Sequence, residues 1–248
     1  MARIDLNCDL GEGAGQDAAL MPLITSANIA CGGHAGDAVT MRATVELALA
    51  HGVAIGAHPG FADRTNFGRV ELPVTPGEVY ALVLTQTRAL QQIAREVGAT
   101  VTHVKPHGAL YNQVARDAAL AAAVAEAVHA ADATLRLFAL AGSELVKAGR
   151  ARGLRVASEV FADRTYRADG SLTPRSAPNA LIEEAAAALV QVKRMVREGF
   201  VTATNGAEVR IEADTVCVHG DGAHAVEFAR RLGVELRADG VVLEAFCR

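Results

Sequence analysis

Short apolar segments of β character alternate with helix-patterned stretches from one end of this chain to the other. That alternation restricts the fold more than any other feature. Ile4–Cys8, Ala27–Cys31, Val53–Ala57, Val101–Val104, Leu135–Leu140, Leu154–Ala157 and Thr215–Val218 read as strands. Helices with local start and stop signals lie between them. Asp37 stands at an N-cap position ahead of residues 38–51, and Gly52 terminates that helix. Thr75 and Glu78 form a capping-box pattern with Pro76 in the first turn. Val79, Leu82, Val83, Leu90 and Ile93 then keep helical spacing up to Gly98. Further helices are predicted over 117–131, from Ser143, over 179–198 and over 222–232, while Val241–Phe246 is β-like without an assigned neighbour. Such a series implies a parallel sheet covered by helices. No linker interrupts it, so residues 1–248 read as one domain. The pattern does not choose between a closed barrel and an open doubly wound sheet.

The chain has 248 residues, 51% of them hydrophobic, enough for a sizeable core. A net charge of −4 without a basic patch argues against nucleic-acid binding. Cys8, Cys31, Cys217 and Cys247 are far apart and form no C-x-x-C pair, which points to a reducing compartment. The first residues lack the apolar core of a signal peptide. The Ala-rich run 118–133 carries Glu126, His129 and Asp132, which rules it out as a membrane span. A soluble, cytoplasmic protein is expected. No G-x-G-x-x-G or G-x-x-x-x-G-K-[ST] follows the first strand, which weakens a nucleotide-binding reading of this chain by itself.

The chemistry concentrates where strands end. The first runs into Asn7-Cys8-Asp9-Leu10-Gly11-Glu12, and the second into Gly32-Gly33-His34-Ala35-Gly36-Asp37. The third reaches His58-Pro59-Gly60, the fourth Lys105-Pro106-His107-Gly108, and the late strand His219-Gly220-Asp221-Gly222. In parallel β/α folds these ends converge on one ligand-binding face. Taken singly, Asp37 and Asp221 read as helix caps, while His34 and His219 fit a turn histidine and a site residue equally well. Four of eight histidines meeting at strand ends is the stronger signal. His51, His103, His129 and His224 read as structural or solvated. Phe61-Ala62-Asp63-Arg64-Thr65 is echoed by Phe161-Ala162-Asp163-Arg164-Thr165, and each arginine either clamps an anion or staples its loop. Lys105, between a strand and Pro106, is expected to point into the site, either as an electrostatic stabiliser or as an anion contact.

At these residues the chain closely resembles a known family. Asp5–Glu12, Ser26–Asp37 and the run His103–Asn112 look like signatures of the LamB/YcsF family, whose members are identified as the A subunit of the prokaryotic ATP-dependent 5-oxoprolinase. The similarity extends from Ile4 through Asp221. Val70, after Asn66-Phe67-Gly68-Arg69, departs from the expected second basic residue. The resemblance implies a distorted, TIM-like (β/α) barrel similar to the glycoside hydrolase/deacetylase superfamily. It also implies opening of the 5-oxo-L-proline lactam to L-glutamate, coupled to ATP hydrolysis, with two partner subunits, B and C.

For that chemistry Asp9 or Glu12 is the expected base, His107 the acid/base partner and Lys105 the electrostatic contact. Asn7, Asn28, Arg64, His219 and Asp221 are the expected substrate contacts. A divalent metal on Asp9, His34 and His58 is the alternative, and it leads to a metal-dependent amide or N-acetyl hydrolase acting without ATP. A third possibility is a non-catalytic component that only binds the substrate.

Overall fold

In the computed structural model, residues 2–218 and 225–247 are described. The elements run β1 (Arg3–Leu10), α1 (Asp17–Leu20), a 3₁₀ turn (Met21–Leu23), β2 (Ser26–Ala30), α2 (Ala38–His51), β3 (Ala54–His58), α3 (Pro76–Glu96) and β4 (Val101–Val104). They continue with α4 (Gly108–Arg116), α5 (Ala118–Ala131), β5 (Arg136–Leu140), α6 (Glu144–Ala151), β6 (Arg155–Phe161) and α7 (Ala185–Glu198). The hairpin strands β7 (Phe200–Thr202) and β8 (Glu208–Arg210) follow, then β9 (Thr215–Val218), α8 (Ala225–Ala238) and β10 (Val242–Leu243).

The strands β1 to β6 and β9 pair in parallel in that order, and β9 closes back onto β1 with Asp5 opposite Thr215. The sheet is therefore a closed α/β barrel of seven strands among the described residues, as the TIM-like reading expects. β10 adds to the start of β1, with Arg3 opposite Val242, and gives the β-like tail its neighbour. Among the described residues no helix is long and apolar enough to cross a membrane.

The local signals predicted their elements. The Asp37 side chain accepts from Thr40 N–H, Gly52 closes α2 in the left-handed conformation, and the Thr75/Glu78 capping box is complete. Other elements differ from expectation, among them α1 and the 3₁₀ turn, which carried no predicted helix, and α8, which runs on to Ala238. The helix predicted from residue 179 begins at Ala185, because residues 180–182 pair with the segment after β6: Thr165 N–H donates to Ala180 O, and Ile182 N–H to Asp163 O. Tertiary pairing there outweighs alanine's helix propensity. α4 was unforeseen, since it starts on Gly108 at φ 56°. The β7–β8 hairpin was missed because its strands are only three residues long.

Side chains alternate along β1, and this sets the two layers of the molecule. Ile4, Leu6, Cys8 and Leu10 face the helices and are essentially inaccessible. Asp5, Asn7 and Asp9 take the other parity and face the barrel axis, where the lining is polar. Asp5 accepts from the hydroxyls of Thr25, Ser26 and Thr215 at 2.5, 2.7 and 2.6 Å. Above it, Asn7 Nδ2 donates to Glu159 and Thr215, and Asn28 Nδ2 donates to Asn7 and Asp9. His103 Nε2 meets Asn28 Oδ1 at 2.9 Å, and its ring stacks on Phe138 with centroids 4.2 Å apart. A buried network of this kind costs nothing in unmet hydrogen bonds only because each member finds a partner. It also fixes the height and direction of the groups at the top of the barrel.

Candidate functional site

The strand ends open into a cleft of about 620 Å³ whose lining includes Asp9, Glu12, His58, Lys105, His107 and Tyr111. At its floor the Lys105 ammonium, 2% exposed, lies 2.9 Å from Asp9 Oδ1, 2.9 Å from Glu159 Oε1 and 3.2 Å from Asn7 Oδ1. Burial works against its charge. Asp9 and Glu159 nonetheless hold its pKa well above the ordinary lysine range, so it remains an ammonium. Tyr111, on the inner face of α4, donates to Glu159 Oε2 at 2.6 Å. Burial beside that carboxylate pushes the phenol far up and keeps its proton in place.

Next to this ion cluster stand three imidazoles and a carboxylate. His34 comes from the glycine-rich loop after β2, His58 is the last residue of β3, and His107 caps α4. His34 and His107 stack face to face at 3.6 Å, with His58 edge-on to both. Glu12 reaches over from the loop after β1. Its Oε1 lies 2.9 Å from His34 Nε2, 3.4 Å from His107 Nδ1 and 3.8 Å from His58 Nε2. One donor atom from each of the four lies within 4.8 Å of the others.

Space for this packing comes from Gly68. At φ 61° it occupies a backbone region that side chains rarely adopt, and a Cβ there would sit 2.8 Å from His34 Cβ. Its neighbour Phe67 is held at φ 54°, and its carbonyl receives His107 Nε2–H at 2.9 Å.

The electrostatics separate the histidines. Burial lowers the pKa of His34, so its contact with Glu12 is a hydrogen bond from a neutral ring. Burial and the neighbouring His58 and His34 hold His107 far below the usual range. For His58 burial also opposes charge, but Asp9 and Glu12 outweigh it and the net shift is upward. His103, deeper in the barrel, is pushed down to about 3 by burial and by the charge of Lys105. Buried and hydrogen-bonded inside the barrel, it fits the structural reading.

Several expected site residues come together: Asp9, Glu12, His58, Lys105 and His107 line this cleft, and buried His34 packs against His107 and meets Glu12. Asn7 and Asn28 lie in the layer beneath, fully buried, with their amides engaged by neighbouring side chains. Arg64 is exposed and donates to the carbonyls of Gly32 and Gly36, so it staples the loop that carries His34. Its counterpart Arg164 is buried and donates to Thr173 O at 2.6 Å, and burial brings its pKa down to about 10. His219 and Asp221 lie outside the described residues. Glu159 and Tyr111 were not anticipated. A carboxylate inside the apolar run Val156–Phe161 was the one available signal for the former.

One carboxylate and three imidazoles form a donor set suited to a first-row divalent cation. Asp9 is not among the four; its Oδ1 faces Lys105 and Asn28, and its Oδ2 is 3.4 Å from His58 Nε2.

Comparison with known proteins places this arrangement. Residues 4–248 match the LamB/YcsF family. The chain belongs to the LamB/YcsF family. Among its relatives is a Geobacillus kaustophilus protein named as the A subunit of 5-oxoprolinase, 56% identical over 99% of this chain and 97% of its own length. A Tolumonas auensis protein of the same name is 54% identical over 99% of this chain and all of its own. The lactam utilization protein of Thermus thermophilus superposes with a TM-score of 0.91 at 45% identity, covering 98% of this chain and all of that one. The LamB/YcsF fold also resembles that of the T48 deacetylase, with a TM-score of 0.52 at 13% identity over 98% of this chain and 88% of the other. That resemblance speaks to architecture alone.

Proposed function

We propose that this chain is the A subunit of a cytoplasmic, multi-subunit 5-oxoprolinase that opens the lactam of 5-oxo-L-proline to L-glutamate as ATP is converted to ADP and phosphate. Its partners in this reading are two further subunits, B and C, with ATP handled by the complex. The observation that carries the reading is the cleft lined by Asp9, Glu12, His58, Lys105 and His107, backed by buried Glu159 and His34, in a chain 54–56% identical to proteins named as 5-oxoprolinase A subunits.

A five-membered lactam is a resonance-stabilised amide, so water does not open it unaided. Transfer of the terminal phosphoryl group of ATP to the lactam oxygen gives ADP and a better electrophile. Water then adds to the ring carbon, the C–N bond breaks as the nitrogen takes a proton, and a second water displaces phosphate from the acyl phosphate so formed, leaving the side-chain carboxylate of glutamate. We assign Asp9 as the base that takes the proton from water and returns it to the ring nitrogen. Lys105, fixed as an ammonium between Asp9 and Glu159, steadies that carboxylate and the negative charge developing on oxygen. Both nitrogens of His107 are engaged, Nε2 by Phe67 O and Nδ1 by His58, which favours a holding role over proton shuttling. A divalent cation on Glu12 and the three histidines would supply Lewis-acid polarisation of a carbonyl or a water.

That donor set also favours a second reading, a metal-dependent amide hydrolase acting without ATP. Glutamate release from 5-oxo-L-proline, measured for the chain alone and with subunits B and C, with and without ATP, separates the two. Release that needs ATP and all three subunits is the expected result. ATP-independent release by the chain alone would favour the second reading, and no release from folded, assembled subunits would overturn the substrate assignment.

A further inference from the structure

We infer that Glu12, His34, His58 and His107 form the seat of a single divalent first-row cation, and that Asp9 is not one of its ligands. The inference rests on the same cleft as the proposed function, but not on its substrate.

The argument is a count of protons. His58 Nδ1 lies 2.7 Å from the carbonyl oxygen of Lys105, and His107 Nε2 lies 2.9 Å from the carbonyl oxygen of Phe67. A carbonyl can only accept, so each of these nitrogens carries the hydrogen of its ring. In a neutral imidazole the other nitrogen is then a bare acceptor. Those other nitrogens, His58 Nε2 and His107 Nδ1, face each other at 2.9 Å. Two lone pairs at that distance repel unless something positive lies between or beside them. Orienting a histidine through a backbone carbonyl so that its second nitrogen points inward is how metal-binding imidazoles are usually held.

Spacing agrees with the proton count. Ligand atoms at about 2.0–2.1 Å from a tetrahedral zinc-class ion lie about 3.3 Å from one another. Around Glu12 Oε1 the distances to the three imidazole nitrogens are 2.9, 3.4 and 3.8 Å. His34 Nε2 meets Glu12 Oε1 at 2.9 Å, and among the described residues its Nδ1 is buried without a hydrogen-bond partner, so the ring hydrogen can sit on Nδ1 when a cation takes the place between Nε2 and Glu12. Charge agrees as well: among the described residues, three carboxylates, Asp9, Glu12 and Glu159, stand around this cluster, and the Lys105 ammonium pairs with Asp9 and Glu159 rather than with Glu12. Asp9 falls outside the seat: Lys105 and Asn28 hold its Oδ1, and although its Oδ2 lies 3.4 Å from His58 Nε2, Asp9 is not among the four residues whose donor atoms all lie within 4.8 Å of one another.

The rival occupant is a proton shared between His58 and His107, and a binding measurement distinguishes the two. The full-length chain is stripped with a chelator, dialysed and titrated calorimetrically with Zn²⁺, Co²⁺ and Mn²⁺, with Co²⁺ absorption as a spectroscopic readout. One ion per chain is expected, with a d–d spectrum for cobalt and a raised melting temperature. Glu12→Gln, which keeps the shape of the side chain, and His58→Ala should each weaken binding by about 100-fold or more, whereas Asp9→Asn should change it less than about threefold. Circular dichroism checks that each variant is folded. No saturable binding of any of the three ions to folded protein, or equal loss with Asp9→Asn and Glu12→Gln, overturns the inference. Because neither substrate nor partner subunits enter the measurement, its failure leaves the 5-oxoprolinase reading to its own assay.

Discussion

Replacing Gly56 by alanine adds one methyl group at the centre of the barrel, and the structure says where it goes. A Cβ at Gly56 would lie 2.0 Å from His103 Nε2 and 2.2 Å from Cδ2. The ring cannot step aside freely, since it is fully buried, stacked on Phe138 and bonded to Asn28. Overpacking of this kind costs about 1–3 kcal/mol. Displacing the ring also leaves Asn28 Oδ1 without its donor, a further loss of about 1–3 kcal/mol. Against this stands a gain of about 0.4–1 kcal/mol from the reduced freedom of the unfolded chain. The balance is a destabilisation of about 3 kcal/mol, or a drop in melting temperature of roughly 10 °C for a chain of this size. Urea unfolding followed by circular dichroism measures it. His103→Ala should also destabilise, by leaving a cavity, but the double variant should lose at least about 2 kcal/mol less than the sum of the two, because the new methyl then has room. A Gly56→Ala protein within about 0.5 kcal/mol of the parent, or strictly additive losses, would refute this account of the barrel core.

Other expectations concern the charged groups. Lys105→Met should abolish turnover and destabilise by about 3–5 kcal/mol, since it strips the cation from buried Asp9 and Glu159; unfolding curves that match the parent would contradict the pairing. Asp9→Asn in the reconstituted complex should remove turnover at saturating substrate while the melting curve stays close to the parent. Weaker substrate affinity with turnover intact would instead indicate a purely binding role. Burial raises the Asp5 pKa to about 6, against the pull of the Thr215, Thr25 and Ser26 hydroxyls. A folded pKa above the unfolded 3.8 means that Asp5 contributes stability below about pH 4 and loses it as pH rises through 6, about 3 kcal/mol in all. The stability of the parent relative to Asp5→Asn should therefore fall between pH 4 and pH 7, and a flat or rising difference would rule out the buried carboxyl as the cause.

What the sequence disclosed divides along physical lines. Signals acting within a few residues were legible: Asp37 capping α2, Thr75 and Glu78 boxing the start of α3, Gly52 ending a helix. The histidines at strand ends were legible too, because a parallel sheet sends every strand end to one face. Closure was legible only through the family resemblance and not from the element pattern, since it depends on Asp5 meeting Thr215 across the whole chain. Nor was Glu159, whose role exists only because barrel register brings β6 beside Lys105. The division between Asp9 and Glu12 was hidden for the same reason. Both follow β1 closely, and only the reach of the Lys105 side chain assigns one to the ammonium and leaves the other among the imidazoles.

The pairing of β9 with β1 also has a consequence in time. Until β9 arrives, β1 keeps one edge unpaired, and Asn7 and Asp5 lack the Thr215 hydroxyl that both contact. Lys105 likewise lacks Cys217 at 3.1 Å. A ribosome that has delivered every residue of the Glu12–histidine cluster has therefore still not delivered the floor on which it rests. Contacts this distant in sequence form late and slowly. The nascent chain passes through a stage with an open sheet edge, exposed to wrong pairing, and cleft and barrel are completed together by a strand of four residues that follows every member of the cluster along the chain.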